Sequence, residues 1–272
     1  MKSTRVHHYV ILAIALLQFH CVEAQSVSEK RLQGGVTGAV GLNFPQMGTN
    51  ILESSTGFSS SFGVSFTKSS KESQNIALTA GLEFDIDKIN YKVTGTDVYY
   101  RFTDKQIKTK DQTVSTDQCF NLLERTYEPL YLSLPIGLTF RTDFIGDYRG
   151  VFKFGLRNRF LMTNSVNDKG SIVDISGGLP PNLTENIGMN VSKDLFFYNA
   201  NLGISAGVEW NFSGSTCLLV EAGFNYGFMP LHLTSKEQNY TLFMLDPNAQ
   251  SETYFRNQAT LNMTQLKFTL LF

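Results

Sequence analysis

The chain has 272 residues and a formal net charge of −1; 17% of its residues are charged and 12% are aromatic. A nearly neutral chain without a basic run lacks the positive surface that nucleic-acid binding requires, so we expect no nucleic-acid partner. Mean hydropathy is −0.11, a value that fits a soluble protein but also a β-barrel, because barrel strands show only half of their side chains to lipid.

The chain begins with the features of a secretory signal peptide. Lys2 and Arg5 supply a positive start, and Tyr9 to Phe19 form an apolar stretch that is too short to span a bilayer as a helix. Val22-Glu23-Ala24 fits the small-residue rule for cleavage after Ala24. These features predict an exported protein.

The predicted cleavage divides the chain into a signal peptide at residues 1–24 and one mature domain at residues 25–272. Two alternatives remain open. The N-terminal segment could be retained as an anchor. Alternatively, Cys21 could accept a lipid, although the residue before it, His20, is not small as a lipoprotein signal requires.

Eight segments alternate apolar and polar residues, with the apolar side chains at even positions. In chain order they lie near residues 36–44, 58–66, 75–86, 130–141, 152–160, 201–212, 218–228 and 265–272. Such alternation predicts β-strands with one apolar and one polar face. Several segments reach the length of about ten residues that a tilted membrane strand needs, which is longer than the usual strand of a soluble protein.

Aromatic side chains lie near both ends of these apolar faces, and aliphatic side chains lie between them. One predicted rim carries Phe44, Phe58, Phe84, Phe160 and Phe228, and the other carries Phe66, Phe140, Phe152, Trp210 and Phe268. Two aromatic girdles are typical of a barrel that meets water at both membrane surfaces. We therefore predict an all-β fold, an eight-stranded antiparallel up-and-down barrel in the outer membrane of a Gram-negative bacterium, with a soluble β-sandwich as the alternative.

The links between the predicted strands alternate between short and long. The short links lie near residues 67–74, 142–148 and 212–216, and the long links near 45–56, 87–125, 162–195 and 229–256. Outer-membrane barrels have short periplasmic turns and long external loops, so both ends of the barrel domain should lie in the periplasm. We expect the 162–195 loop to be irregular because it contains Gly177-Gly178 and Pro180-Pro181.

The alternation changes after the third segment, where Ile89, Tyr91 and Val93 place apolar side chains at odd positions. A bulge near residues 85–88 would explain the change, with the third strand continuing beyond the membrane. The alternative is an extra hairpin and a ten-stranded barrel.

Nine charged residues fall on the inward face of the predicted barrel. They are Glu83, Asp85, Arg141, Lys153, Arg157, Arg159, Glu209, Glu221 and Lys267. The interior of an eight-stranded barrel is just wide enough for side chains to fill it. Because charges in such a space are costly unless paired, we predict a structural ion-pair network that plugs the lumen. A narrow passive channel is the alternative.

The residue supply for catalysis is poor. Beyond the leader the sequence holds one histidine, His232, which lies in a predicted external loop near Pro230 without a nucleophile motif such as G-x-S-x-G. We predict no enzyme, no catalytic residue and no cofactor; a rim enzyme that uses His232 is a third, weaker hypothesis. Clusters of His and Cys are absent from the sequence, so we expect no metal site.

Two cysteines, Cys119 and Cys217, remain after the predicted cleavage. The predicted topology places them at opposite ends of the barrel, further apart than the roughly 7 Å between Cα atoms that a disulfide allows. We therefore expect two thiols.

The chain ends on a phenylalanine, with Phe268, Leu270 and Phe272 on one face of the last predicted strand. This ending resembles the signal that barrel-assembly machinery reads. We expect that machinery and outer-membrane lipid as partners; the competing interpretation is an ordinary lipid-facing strand that happens to end in Phe.

Five motifs follow one another along the predicted mature chain. They are Gly34-Gly35-Val36, Tyr131-Leu132-Ser133-Leu134-Pro135-Ile136-Gly137-Leu138, Leu202-Gly203-Ile204-Ser205-Ala206-Gly207-Val208-Glu209-Trp210, Glu221-Ala222-Gly223-Phe224-Asn225-Tyr226-Gly227-Phe228 and the final Phe272. Their order resembles that of the PorT-like group of small outer-membrane barrels, which is common in Bacteroidetes. The mature chain thus resembles this group along its length, but it departs from it in the long 87–125 and 162–195 links. The resemblance implies an eight-stranded barrel.

One branch of that group is associated with protein secretion across the outer membrane, so a secretion-system or surface protein is a further expected partner. The leading hypothesis is a non-enzymatic outer-membrane barrel. It would act as a structural, binding or secretion-accessory protein through its external loops.

Overall fold

The computed structural model describes residues 32–70, 73, 75–112, 118–174, 182–191, 194–214, 216–232, 236–245 and 251–272. The predicted signal peptide and its cleavage site lie outside these residues. Eight long strands make up most of the described chain. They are β1 (Leu32–Met47), β2 (Gly57–Ser69), β3 (Ile76–Asp87), β4 (Gln118–Arg141), β5 (Tyr148–Asp174), β6 (Tyr198–Ser213), β7 (Thr216–Gly227) and β8 (Ala259–Leu271).

The eight strands form a closed antiparallel ring. Each strand pairs with the next one along the chain, from β1 to β8. The ring closes where β1 pairs with β8, with Val36 opposite Leu270. Closure leaves no free strand edge in the membrane, where an unpaired backbone group would be costly. The predicted eight-stranded up-and-down barrel is confirmed, and the ten-stranded alternative is wrong.

Side chains alternate between the two faces of the barrel, as the sequence pattern predicts. Even-numbered side chains point outward; Phe62 is 56% exposed and Ile136 is 49% exposed. Inward positions carry small or polar residues such as Ser133 and Thr139, both fully buried. The apolar outer face is suited to lipid, and the polar inner face forms the lumen.

Glycines allow neighbouring strands to approach closely along one wall of the lumen. Gly137 on β4 lies opposite Gly155 on β5, which lies opposite Gly203 on β6. A Cβ atom added to Gly155 would meet the Cα of Gly137 at 2.5 Å. A larger residue at this position would therefore push the strands apart.

The outward face changes from apolar to charged on β3 and β4. Ile86 is still an exposed apolar residue, whereas the next outward residue, Lys88, forms an ion pair with Glu128 at 3.1 Å. Further along, Lys92 pairs with Glu124 at 3.3 Å. Charged side chains are strongly disfavoured on the lipid face. The strands therefore leave the membrane near this level and continue into external water.

Beyond the membrane, β4 and β5 continue as one long hairpin, with Arg125 opposite Asp168. A strand at Asn182–Val191 pairs with this part of β5. The expectation of an irregular 162–195 loop is therefore wrong over 162–174 and 182–191, because these residues extend the sheet. Gly177, Gly178, Pro180 and Pro181 lie outside the described residues.

The other long links also form strands against this hairpin. Strand Ile89–Val93 pairs with β4 and with Leu52–Ser55, and Val98–Tyr100 pairs further along β4. The remaining short elements are strands Phe102–Thr103, Gln106–Ile107, Phe243–Leu245 and Glu252–Tyr254 and a 3₁₀ turn at Glu237–Asn239. The described parts of the long links thus contain several strands.

The expected bulge near residues 85–88 is not what shifts the apolar pattern at Ile89 and Tyr91. Odd-numbered side chains point inward on both sides of Lys88: Asp85, Asp87, Ile89 and Tyr91 are all buried. What changes is the chemistry of the interior, from polar in the lumen to apolar above it. The register shifts of this hairpin lie elsewhere, where the pairing skips Met162 on β5 and Leu123 on β4.

An apolar core fills the space above the lumen, and we call the structure around it the external cap. Its members come from the four long links and from the outer parts of β4, β5 and β8. The buried core residues include Leu52, Ile89, Tyr91, Val98, Tyr100, Ile107, Phe120, Leu122, Tyr127, Val166, Met189, Leu195, Leu231, Leu242, Phe243, Ala259, Leu261 and Met263. Burial of this apolar surface holds the links together over the barrel mouth.

Two further features complete the fold. Cys119 lies in the external part of β4, whereas Cys217 lies at the opposite end of the barrel, near the start of β7. None of the helices in the described chain is long and apolar enough to cross a membrane.

Candidate functional site: the lumen charges and the external cap

A continuous series of ion pairs runs along the lumen. Arg157 on β5 lies 2.7 Å from Glu83 and also pairs with Asp85, both on β3. Arg159 lies 3.1 Å from Asp85 and also pairs with Asp87. Lys267 on β8 pairs with Glu83 at the other end of the series. We call these six residues the charge ladder, because acidic and basic groups alternate along it.

The local strand geometry explains the ladder. Alternate residues of one strand point to the same face, so the acids at 83, 85 and 87 and the bases at 157 and 159 all face the lumen. Between β3 and β5 lies β4, whose Ser133 hydroxyl donates to Asp85. On the same strand, the Tyr131 ring lies under the Arg159 guanidinium, 4.1 Å from its centroid. The small Ser133 side chain on the intervening strand thus leaves room for the charges of β3 and β5 to pair, and the Tyr131 ring packs against one of them.

Two further groups of charges lie toward the short-turn end of the barrel. The Lys153 ammonium donates to Glu221 at 2.7 Å, and the Ser205 hydroxyl donates to the same carboxylate at 3.0 Å. Closer to the short turns, Glu209 pairs with Arg149 and lies 3.6 Å from Arg141. These carboxylates are buried, so their pairing offsets a large desolvation cost.

All nine charged residues that the sequence places in the lumen take part in these ion pairs. The structure brings in two more residues that the sequence prediction omits, Asp87 and Arg149. The alternation of inward and outward residues could have predicted both. Asp87 continues the odd-numbered inward face of β3 by one step, and Arg149 precedes Val151 on the inward face of β5.

Hydroxyl groups and a small cavity occupy the lumen below the ladder. The hydroxyls of Thr67, Thr79 and Thr139 are joined by hydrogen bonds of 3.0 and 2.7 Å. A cavity of about 100 Å³ lies beside them, lined by Lys153, Lys267 and other polar residues. At the short-turn end, buried Val151, Cys217, Leu219 and Leu271 form an apolar cluster.

A second polar cluster lies inside the external cap around His232. Its Nδ1 lies 3.2 Å from the Asp194 carboxylate, and its Nε2 lies 3.0 Å from the Tyr91 hydroxyl. The Tyr127 hydroxyl donates to Asp194, and the Asn257 amide lies 3.2 Å from Nε2. No sequence signal marks Asp194 as a partner, because the two residues meet only when two external links fold together.

Burial and charge set the ionisation of this cluster. Burial by itself raises the pKa of Asp194, but the charge and hydrogen bond of His232, together with the Arg125 charge and the Tyr127 hydrogen bond, outweigh it, so the pKa lies below its usual value. The pKa values of Tyr91 and Tyr127 are raised well above the usual value by burial and then by the nearby Asp194 charge. Both tyrosines therefore stay protonated, and the Tyr127 hydroxyl donates to Asp194.

The position of His232 bears on the hypothesis of a rim enzyme. The residue is 2% exposed, and the partners named above engage both ring nitrogens. An isolated bridge between Leu195 and His232 joins the two links at this point. The geometry of His232 fits a structural contact between the two links, since no face of its ring is open to a substrate. The part of the chain that the structure describes contains no group of His, Cys, Asp and Glu able to hold a metal ion.

The last strand shows its apolar face to the outside. Phe268, Leu270 and Phe272 are all exposed outward. The backbone N–H of Phe272 donates to Gly34 at 2.9 Å, next to the seam where β1 and β8 close the ring. The residues of the expected assembly signal therefore lie on the last strand of the chain, which pairs with β1 to close the ring.

These features define a class of protein. A closed antiparallel ring of eight strands, an apolar band outside and paired charges inside make this an outer-membrane β-barrel protein. The chain belongs to the family of the outer membrane protein beta-barrel domain, whose sequence model matches residues 23–233.

Several solved barrels are similar to the chain. Neisserial surface protein A is 10% identical, with 88% of this chain and 95% of that chain covered and a TM-score of 0.34. The attachment invasion locus protein Ail of Yersinia pestis is 8% identical, with 88% and 98% covered and a TM-score of 0.31. A major outer membrane protein from Thermus thermophilus is 11% identical, with 87% and 98% covered and a TM-score of 0.32. None of the curated protein sequences matches the chain.

Proposed function

We propose that this outer-membrane protein is not an enzyme and that it acts through its external cap, while ion pairs plug its lumen. The observation that carries the proposal is the charge ladder, which runs from Lys267 to Asp87 across the lumen. Paired buried charges hold side chains in place, and a fixed side chain in so narrow a barrel leaves little room for a solute. The apolar core of the cap lies above the ladder.

The second candidate function is a narrow passive channel. The cavity of about 100 Å³ beside Lys153 supports it, because polar groups line this space. Volume for a few waters is not a continuous path, however. The ladder residues Glu83, Arg157 and Lys267 form part of the cavity lining, and the rest of the ladder and the cap lie on its external side. The plugged barrel is therefore the stronger proposal.

Single-channel recording in planar bilayers separates the two functions. We expect the purified protein to give no stable, large conductance, and such a conductance would sink the plugged-barrel proposal. A paired variant, Asp85→Ser with Arg157→Ser, removes one acid and one base from the middle of the ladder. We expect this variant to show small openings that the native protein lacks, since the barrier is the ladder itself.

A rim enzyme that uses His232 is the weakest of the three functions. Its burial and its hydrogen bonds to Asp194 and Tyr91 support a structural role instead. The test compares the surface-lipid profile of cells that carry native protein or His232→Ala. An unchanged profile removes the enzyme hypothesis, whereas loss of a modified lipid would overturn the non-enzymatic proposal.

We also propose membership of the PorT-like group and a secretion-accessory role for the cap. The support is the order of the sequence motifs, from Gly34-Gly35-Val36 to the final Phe272. Depletion of the protein in its native cell should then lower the amount of a defined set of secreted proteins. Unchanged secretion would remove this role and leave a structural or binding function for the cap.

A further inference from the structure

A cleft of about 910 Å³ opens on the external cap, between the β3–β4 link and the β7–β8 link. Its lining residues are Val93, Gly95, Thr96, Asp97, Tyr99, Leu122, Leu123, Met244, Leu245 and Thr253. Leu123 lies roughly 20 Å further along β4 than Leu130, at the rise of a strand. The cleft is therefore well above the Lys88–Glu128 pair and faces water rather than lipid.

Two strands that separate from each other form the cleft. Phe243 pairs with Tyr99, and no further pair between these two strands follows among the described residues. On its other side, strand Phe243–Leu245 pairs along its whole length with Glu252–Tyr254. Met244 and Leu245 therefore turn an open strand edge toward the cleft. Such an edge carries backbone N–H and C=O groups that another strand can pair with.

The floor of the cleft is apolar and partly exposed to water. The pairing of β4 with β5 skips Leu123, and its side chain is 48% exposed. Val93 and Leu245, both partly exposed, add apolar surface around it. Apolar surface gathered in a concave site above the membrane is typical of a binding site, and alternating apolar side chains of a strand would fill it.

The charge of the cleft indicates the charge of the ligand that fits it. Asp97 is the one charged residue among those that line it, and its side chain is exposed. Its carboxylate accepts a weak hydrogen bond of 3.4 Å from the Asn121 amide. A carboxylate at the rim favours a partner with a positive charge nearby, which contributes more to specificity than to affinity.

We propose that this cleft binds an extended peptide segment of another protein, with alternating apolar side chains and a Lys or Arg near one end. The segment would add a strand to the open edge at Met244 and Leu245, place apolar side chains against Leu123, and bring its cation to Asp97. The inference deepens the proposed function, because it names the binding site and the partner chemistry of the cap.

Peptide selection on the full chain in detergent micelles tests the inference. The probe is a phage-displayed library of random nine-residue peptides, selected on native protein and counter-selected on Leu123→Glu. We expect enriched peptides with alternating apolar residues and a basic residue. A synthetic copy should bind Leu123→Glu at least about tenfold more weakly, because a buried carboxylate would replace the apolar contact. No enrichment, or equal binding to both proteins, overturns the proposal.

Ile187→Glu is the matched control, since Ile187 is also an exposed apolar residue of the cap but does not line the cleft. It should bind the peptide as native protein does, and a shared loss would show that the selected peptides recognise apolar surface in general. The heat-modified mobility of each variant on gels shows whether it is folded. Asp97→Asn should weaken binding only for peptides that carry the basic residue.

Hydrogen exchange tests the strand pairing directly. The bound peptide should slow exchange of the Leu245 backbone amide, because pairing protects N–H groups. The Met244 N–H points to the opposite edge, toward the strand Glu252–Tyr254. Peptide binding without protection of Leu245 would overturn strand addition. The selection does not measure conductance, so failure here is distinguishable from failure of the plugged-barrel proposal.

Discussion

Arg125 and Asp168 form a bidentate ion pair across β4 and β5, with the guanidinium Nε and Nη2 each 2.8 Å from a carboxylate oxygen. Both side chains are buried, and the rings of Tyr100 and Tyr127 lie 5.0 and 5.8 Å from the guanidinium. The pair links the two strands of the external hairpin above the membrane. The cap therefore contains a buried ion pair as well as an apolar core.

Removal of one partner of this pair should destabilise the cap. Asp168→Asn leaves a buried guanidinium without its anion, and we expect a loss of about 3–5 kcal/mol in the local opening free energy. Hydrogen exchange of the β4 amides in the external hairpin measures it. Lys92→Gln is the control: it breaks the exposed Lys92–Glu124 pair and should cost less than about 1 kcal/mol. Equal effects would contradict the structural role of Arg125.

The Asp194–His232 contact predicts an acid-sensitive cap. The pKa of Asp194 is lowered, since the interactions with His232, Arg125 and Tyr127 together outweigh the effect of burial. Its contribution to stability is therefore complete above the unfolded value of about 3.9 and is lost as the pH falls through the lower folded value. Protease protection of residues 228–232, at the start of the β7–β8 link, should fall in this acidic range. Asp194→Asn should lower protection at neutral pH and reduce the acid dependence; an unchanged acid profile would contradict the prediction.

Two exposed residues of β4 should respond differently to the same substitution. Ile136→Arg places a charge on the lipid face and should cost about 2–4 kcal/mol in the free energy of unfolding from lipid vesicles. Leu123→Arg has similar exposure but lies in the external hairpin, so it should cost less than about 1 kcal/mol. Urea titration of both variants checks the position of the membrane boundary. If Leu123→Arg costs as much as Ile136→Arg, the boundary is wrong.

The close approach of β4, β5 and β6 at Gly137, Gly155 and Gly203 predicts the effect of a further pair of variants. Gly155→Ala would bring a Cβ within 2.5 Å of the Gly137 Cα, and we expect a loss of about 1–3 kcal/mol from overpacking. The control, Gly38→Ala, has its nearest non-adjacent atom at 3.9 Å and should leave stability nearly unchanged. Urea unfolding in lipid vesicles compares the two variants. A tolerant Gly155 would show that β4 and β5 can separate without cost.

The C-terminal strand predicts an assembly defect. Deletion of Phe272 should lower the yield of folded protein in the outer membrane if assembly machinery reads the end of this strand, as its sequence predicts. The control is Phe228→Ala, which removes an exposed aromatic side chain from the external end of β7 instead. Heat-modified mobility of isolated membranes measures the folded fraction. An unchanged yield after deletion of Phe272, or an equal loss in both variants, would contradict a specific signal.

The closing strand illustrates how much could be predicted locally. The period of two in residues 265–272 requires only that lipid face one side and the lumen the other, so the exposed faces of Phe268 and Phe272 follow from the sequence. The same rule placed Glu83 and Arg157 in the lumen. The rule failed at Ile89. An apolar residue at an odd position there could mean that the alternation has shifted by one residue or that the barrel interior has become apolar, and the sequence does not distinguish the two.

The sequence by itself therefore determined the membrane strands and their faces, because each depends on neighbours along one strand, and the link lengths indicated which end of the barrel carries the long links. The choice between eight and ten strands was decided by the tertiary structure, where β1 pairs with β8 and closes the ring. Only the tertiary structure decided that Arg157 bridges Glu83 and Asp85 and that Asp194 meets His232. It also decided that the long links fold into a cap with a cleft at Leu123. These contacts join residues far apart in the chain, and the side chain that satisfies a buried charge is chosen by the closed barrel and its cap rather than by local pattern.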